Sequence, residues 1–154
     1  MSDPAVLKRF IEFALNKLKR IDVLVNNACR GKIINIASSR AFQSEPDTEA
    51  YASAKGGIVA LTHALAISLG PEILVNCIAP GWINVTEQEE FGREDVAAIP
   101  AGKVGTPEDI SKMVTFLCDQ DFITGETITV DGGMNKRMIY HGDWNWYFKP
   151  DSHN

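Results

Sequence analysis

The stretch Asn26 to Ser38, NNACRGKIINIAS, decides how this chain folds. Just before it, Ile21 to Val25 is a short β-branched run, and within it Ile33 to Ala37 is another. Both have the length and near-continuous apolar character of strands buried in a parallel sheet. Only Asn27 to Lys32 separate them. Adjacent parallel strands need a crossover of about a dozen residues or more, usually a helix. Two outcomes are open: the strands pair in another manner, or the crossover that would make them parallel neighbours is absent.

Working outward, residues 3–19 have the pattern of an amphipathic helix. Asp3 caps it, Pro4 suits the first turn, and Leu7, Phe10, Ile11, Ala14 and Leu18 share one face. After Ser38 comes a loop to about Thr48, then a helix from Glu49 to Leu69 with Ile58, Leu61, Leu65 and Leu69 as its apolar stripe. Ala52, Ala54, Gly56, Gly57 and Ala60 leave room for close backbone approach. Gly70-Pro71 should end that helix, the glycine left-handed and the proline a breaker. A strand from Ile73 to Ile78 leads into the Pro80-Gly81 turn. Residues 84–104 are polar and irregular, a long loop of the functional kind. Thr106-Pro107-Glu108-Asp109 starts a third helix with a cap, a first-turn proline and acids toward the dipole. Its inner face is Ile110, Met113, Val114 and Leu117. Thr127 to Val130 is a last strand, closed by the Asp131-Gly132-Gly133 turn.

Helices and strands in alternation define an α/β chain, a Rossmann-like doubly wound parallel sheet in partial form, with helices on both faces. With no repeats or linkers, residues 1–154 are read as one domain carrying an aromatic tail, 134–154. Within that tail, MIYHGDWNWYFKP (138–150) is too aromatic for a disordered segment and should dock on the core or a neighbouring subunit, the alternative being a wall of a substrate cleft.

The composition narrows the partners. Fifteen basic and twenty acidic side chains give a net charge of -5, which disfavours nucleic acid and anionic membranes. Cys29, Cys77 and Cys118 are odd in number and form no C-x-x-C pair, so free thiols in a reducing compartment are expected, and no metal site. MSDPAVLKRF lacks the apolar core of a secretory signal, and no stretch approaches the roughly twenty apolar residues of a membrane helix. A cytoplasmic location is expected.

Chemistry concentrates between Ser38 and Lys55. Tyr51 and Lys55 stand at i and i+4, so both emerge on one helix face. An ammonium beside a phenol stabilises the phenolate, and a tyrosine so placed exchanges a proton with an alcohol near neutral pH. The plain alternative is a surface tyrosine beside a solvated lysine. Ser38 stands at the carboxyl end of a core strand, where open parallel sheets place their ligands.

These segments together resemble the short-chain dehydrogenase/reductase family. VNNA (25–28) is similar to that family's NNAG segment, INIAS (34–38) to its serine-bearing strand, and YASAK (51–55) to its Y-x-x-x-K. VNCIAPGWI (75–83) resembles V-N-x-x-x-P-G-x-I, and TGETITVDGG (124–133) the last strand and closing turn. The resemblance implies a catalytic set of Ser38, Tyr51 and Lys55. It implies a cofactor, NAD or NADP, held by Asn27, Ala28, Tyr51, Lys55, Pro80, Gly81, Ile83 and Thr86. It further implies a small alcohol or ketone substrate, of sugar, polyol or 3-oxoacyl type, and a homo-oligomer, dimer or tetramer.

The sequence also departs from that family. The glycine-rich T-G-x-x-x-G-x-G segment is not found, Cys29 replaces the last glycine of NNAG, and the helix that carries a fourth catalytic residue, an asparagine, is missing at CRGK. The expectation is therefore double: an NAD(P)-dependent oxidoreductase whose remaining segments lie outside this sequence, or a shortened, non-catalytic assembly partner unable to bind the dinucleotide.

Overall fold

The computed structural model describes residues 23–28, 30–86 and 90–138. The helix expected over 3–19 and nearly all of the aromatic tail lie outside them. Strands β1 (Val23–Ala28), β2 (Arg30–Ile36), β3 (Ile73–Pro80) and β4 (Thr127–Val130) form one sheet in the order β1-β2-β3-β4. Between β2 and β3 lie a 3-10 turn (Ser39–Ala41) and helix α1 (Glu49–Leu69); between β3 and β4 lie α2 (Arg93–Ala97) and α3 (Pro107–Asp119).

β2, β3 and β4 are parallel, as expected. β1 is not: it pairs antiparallel with β2, Val23 opposite Asn35 and Ala28 opposite Arg30. Six residues cannot carry a chain back along the sheet, so both strands extend into the join and the chain reverses there. β1 therefore forms an edge of the described sheet.

Alternation along β2 and β3 sorts residues to opposite faces. On one face Ile34 and Ile78 pack with Leu117, ringed by Ile110, Met113, Val114 and Ile128, which is the apolar side expected of α3. On the other face lies α1, through a different set of residues from the one expected. Its buried positions are Lys55, Thr62 and Ala66, while Leu61 is half exposed and Ile67 is 84% exposed. Small and polar residues win because α1 seats on the sheet by a specific bond: the buried Asn35 Nδ2 donates to Thr62 Oγ1 at 2.8 Å. Nothing approaches a Cβ position at Gly56 or Gly57 within 4 Å, so they mediate no close packing among the described residues. α1 is also long and apolar enough to cross a membrane, by length and composition only. That corrects the expectation that no stretch comes near; here the helix lies along β3 and the 3-10 turn.

The ends of elements follow local chemistry. The backbone N–H of Thr106 donates to Asp109 Oδ2 at 3.0 Å, closing the start of α3. Gly70 is extended (φ -71°, ψ 147°), not left-handed. The following proline clashes with a helical or folded predecessor and pushes it there. Asn76, 2% exposed, points toward the connection ahead of β4: its Nδ2 donates to Ile123 O at 2.7 Å and its Oδ1 accepts from Glu126 N at 3.1 Å. The loop expected over 84–104 contains the short helix α2, and its base is stitched by a bridge between Ile83 and Gly105.

Candidate active site

Where β2 ends, the chain turns sharply and exposes a cleft of about 600 Å³. Ser38 caps the 3-10 turn, its Oγ accepting from Arg40 N at 3.2 Å, which fixes the hydroxyl at the strand tip. α1 begins ten residues after that turn's first residue and brings Tyr51 to the same cleft. One turn further on, Lys55 is only 5% exposed. Its Nζ donates to Ile36 O at 3.3 Å and stands 5.7 Å from the centre of the Tyr51 ring. A buried ammonium needs such a partner. The last carbonyl of β2 thus tethers the lysine beneath the tyrosine, while Tyr51, 49% exposed, faces the cleft.

Gly81 borders the same cleft at the end of β3. A Cβ there would lie 2.5 Å from Asp131 Cβ and 2.7 Å from Asp131 Cα, so the close approach of β3 and β4 demands glycine. Asp131 is held by its own turn: its carboxylate accepts from Gly133 N and Asn135 N, each at 2.8 Å. Pro80 sits one residue back, paired with Val130.

The remaining expected residues lie elsewhere. Ile83 lines a separate, smaller pocket of about 240 Å³ with Gly105, Asp131 and Gly132. Thr86 is exposed, its N–H donating to Asn84 Oδ1 at 2.9 Å. Asn27 and Ala28 stand opposite Gly31 and Arg30, at the amino end of β2. Five strand residues, roughly 17 Å, separate that level from Ile36. Reversing β1 thus carries Asn27 and Ala28 to the end of β2 away from Ile36.

Other cleft residues were not visible in the sequence pattern. Arg40, Gln43, Ser44 and Glu45 come from the loop between Ser38 and α1, Trp82 from the Pro-Gly turn, and Met134 from the segment after β4. Trp82 is steadied by Phe91, edge-on at 5.3 Å. Their convergence is a tertiary event; only Trp82, beside Pro80-Gly81, carried a local hint. Behind the cleft, Cys77 is fully buried on β3, and burial pushes its thiol above the usual 9.0 against weaker opposing contacts from Ala37, Thr62, Thr127 and Lys55. It is structural. Among the described residues no cluster of His, Cys, Asp and Glu is arranged to hold a metal ion.

The fit to a dinucleotide divides in two. A buried amine and a hydroxyl at a strand tip suit a nicotinamide ribose. For the diphosphate, β1 brings its amino end, Val23, to the carboxyl edge of the sheet and carries Asn27 and Ala28 away from it.

Known proteins resemble this chain in sequence and fold. The profile of a family described as enoyl-(acyl carrier protein) reductase matches residues 28–135. An uncharacterized oxidoreductase from Thermotoga maritima is 52% identical over 122 residues, covering 71% of this chain and 48% of that protein. The 3-oxoacyl-[acyl-carrier-protein] reductase FabG of Chlamydia trachomatis is 40% identical over 111 residues, covering 68% and 45%. An apo SCOR enzyme from Clostridium thermocellum superposes with a TM-score of 0.74 at 63% identity, covering 97% of this chain and 76% of the other. The strand-tip serine, the Tyr-x-x-x-Lys helix and these matches place the chain in the short-chain dehydrogenase/reductase family. It spans about half the length of the curated relatives it matches.

Proposed function

We propose that this chain carries the substrate-side chemistry of an NAD(P)-dependent oxidoreductase interconverting a secondary alcohol and a ketone. Tyr51 exchanges a proton with the substrate oxygen, Ser38 donates a hydrogen bond to that oxygen, and Lys55 stabilises the phenolate from beneath. Lys55, Pro80 and Gly81 would adjoin the nicotinamide ribose and ring; when bound, NAD or NADP supplies or accepts the hydride. The carrying observation is the tether of Lys55 to Ile36 O, which sets an ammonium 5.7 Å from the Tyr51 ring centre at the cleft that Ser38 shares. Substrates of sugar, polyol or 3-oxoacyl type agree with the family, the last also with relatives named as 3-oxoacyl reductases. Tyr51→Phe should cut turnover by a factor on the order of 10²–10⁴ with an unchanged circular dichroism spectrum. Wild-type rates in that variant remove the assignment.

A second reading, a non-catalytic assembly partner, is favoured by one observation: the hairpin carries Asn27 and Ala28 to the opposite end of the sheet. Titration with NADH and NADPH separates the two. Saturable micromolar binding supports the enzyme; no binding up to millimolar concentration supports the partner. In either case we infer a homo-oligomer in the cytoplasm, supported by the family and by apolar side chains such as Ile67 on the outer side of α1. Sedimentation equilibrium tests it, and a monomer would refute it.

A further inference from the structure

The cleft has two unlike kinds of lining. Trp82 and Met134 supply apolar lining; Ser39, Arg40, Gln43, Ser44 and Glu45 supply polar lining, in the same cleft as Ser38 and Tyr51. Arg40 is the cation among these lining residues. Its Nη2 meets Glu45 Oε2 at 2.6 Å, with the arginine side chain 31% exposed and the glutamate 68%. An ion pair whose acid is that open contributes little to stability, so fold stability alone does not account for a guanidinium at this place. The contact does show that a carboxylate is accepted there, within the same cleft as Ser38 and Tyr51.

The backbone adds a geometric constraint. Arg40 N donates to Ser38 Oγ at 3.2 Å, and both residues belong to one capped 3-10 turn. The hydroxyl that would hold a substrate oxygen and the base of the arginine are therefore fixed relative to each other. A ligand that satisfies both carries a carbonyl or hydroxyl oxygen and an anion. Its remaining carbons would lie against Trp82 and Met134.

Resting on the oxidoreductase reading above, we propose that the substrate is a short oxo or hydroxy acid, its carboxylate bound by Arg40 in exchange for Glu45. Glu45 is then the internal competitor, vacating the guanidinium when the ligand arrives. Arginine suits this role because its planar fork matches a carboxylate.

The test is calorimetric and needs no cofactor or turnover. The probes are 2-oxobutanoate, 3-oxobutanoate and 4-oxopentanoate, each against its methyl ester, on the wild type, Arg40→Gln, Arg40→Lys and Glu45→Gln. At least one acid should bind about tenfold or more tightly than its ester. That preference should fall to near unity in Arg40→Gln, survive in part in Arg40→Lys, and grow in Glu45→Gln. Circular dichroism checks that each variant is folded. Esters binding as well as acids, a preference that survives Arg40→Gln, weaker acid binding in Glu45→Gln, or no binding up to roughly 50 mM would each overturn the proposal. Because only binding is read, an Arg40-dependent preference stands even where Tyr51→Phe shows no loss of turnover, and the two readings fail separately.

Discussion

Replacing Asn76 with alanine should be among the most damaging single changes outside the cleft. The side chain is 2% exposed and makes two bonds across almost fifty residues of sequence, donating to Ile123 O and accepting from Glu126 N. Each such bond contributes about 0.5–1.5 kcal/mol net, and stranding its partner in a partly buried place costs more than the bond itself. A cavity the size of the lost amide adds to this. The sum is about 2–4 kcal/mol, or roughly 5–15 °C in Tm for a chain of this size. Urea unfolding followed by circular dichroism measures it. Asn76→Asp is the sharper control: it keeps an acceptor for Glu126 N but aims a carboxylate oxygen at the Ile123 carbonyl. It should be at least as destabilising as alanine, and hydrogen exchange at Glu126 N should accelerate more in alanine than in aspartate. An alanine variant within about 0.5 kcal/mol of wild type, or an aspartate variant milder than alanine, would refute the clamp.

Two further changes probe the support of the cleft at Gly81 and the start of α3. Gly81→Ala should cost about 1–3 kcal/mol, because the new Cβ meets backbone and Cβ atoms of Asp131 that cannot swing aside; an unchanged denaturation midpoint would contradict that crowding. Asp109 is held at about 2, below the usual 3.8, first by the hydrogen bond from Lys103 and then by Thr106 N–H. Its stabilising effect is therefore complete above about pH 4 and fades as pH falls toward 2. Asp109→Asn should lose less Tm than wild type over that acid range, by a small, salt-sensitive margin; parallel curves would show that the Lys103–Asp109 pair contributes nothing.

How much of this was legible in the sequence depended on whether the deciding interaction was local. Helix α1 and strand β4 have the expected limits because their terminators, Gly70-Pro71 and Asp131-Gly132-Gly133, act within a few residues. The inner face of α3 was readable for the same reason, as four apolar side chains at helical spacing. The direction of β1 was not, because β-branched composition specifies a buried strand without specifying its partner's sense. What could be read was that six residues are too few for a crossover, and the hairpin is one of the two outcomes that left open. The seating of α1 was misread, since leucines outweigh Thr62 and Ala66 in any periodicity argument although the Asn35–Thr62 bond selects the face. α2 was missed because five residues, only Val96 and Ala97 of them apolar, span little more than one turn. In the cleft, Ser38, Tyr51 and Lys55 were visible as motif residues, whereas Arg40 and Met134, nearly a hundred residues apart, meet only through the fold.

The small bridge at the base of the segment after β3 has a wider consequence. Gly105 N bonds Trp82 O at 3.0 Å and Asn84 N bonds Gly105 O at 2.8 Å, so the chain departs from the scaffold and returns to it at one point. Lengthening a loop anchored in this way adds closure entropy only logarithmically. That segment is also held further along, where Ala101 N donates to Gly132 O at 2.9 Å and Ile99 is 1% exposed, so only the stretch between Asn84 and Ile99 is an exchangeable cassette: a graft of different length there should leave β3, α3 and the Tyr51–Lys55 pair as they stand.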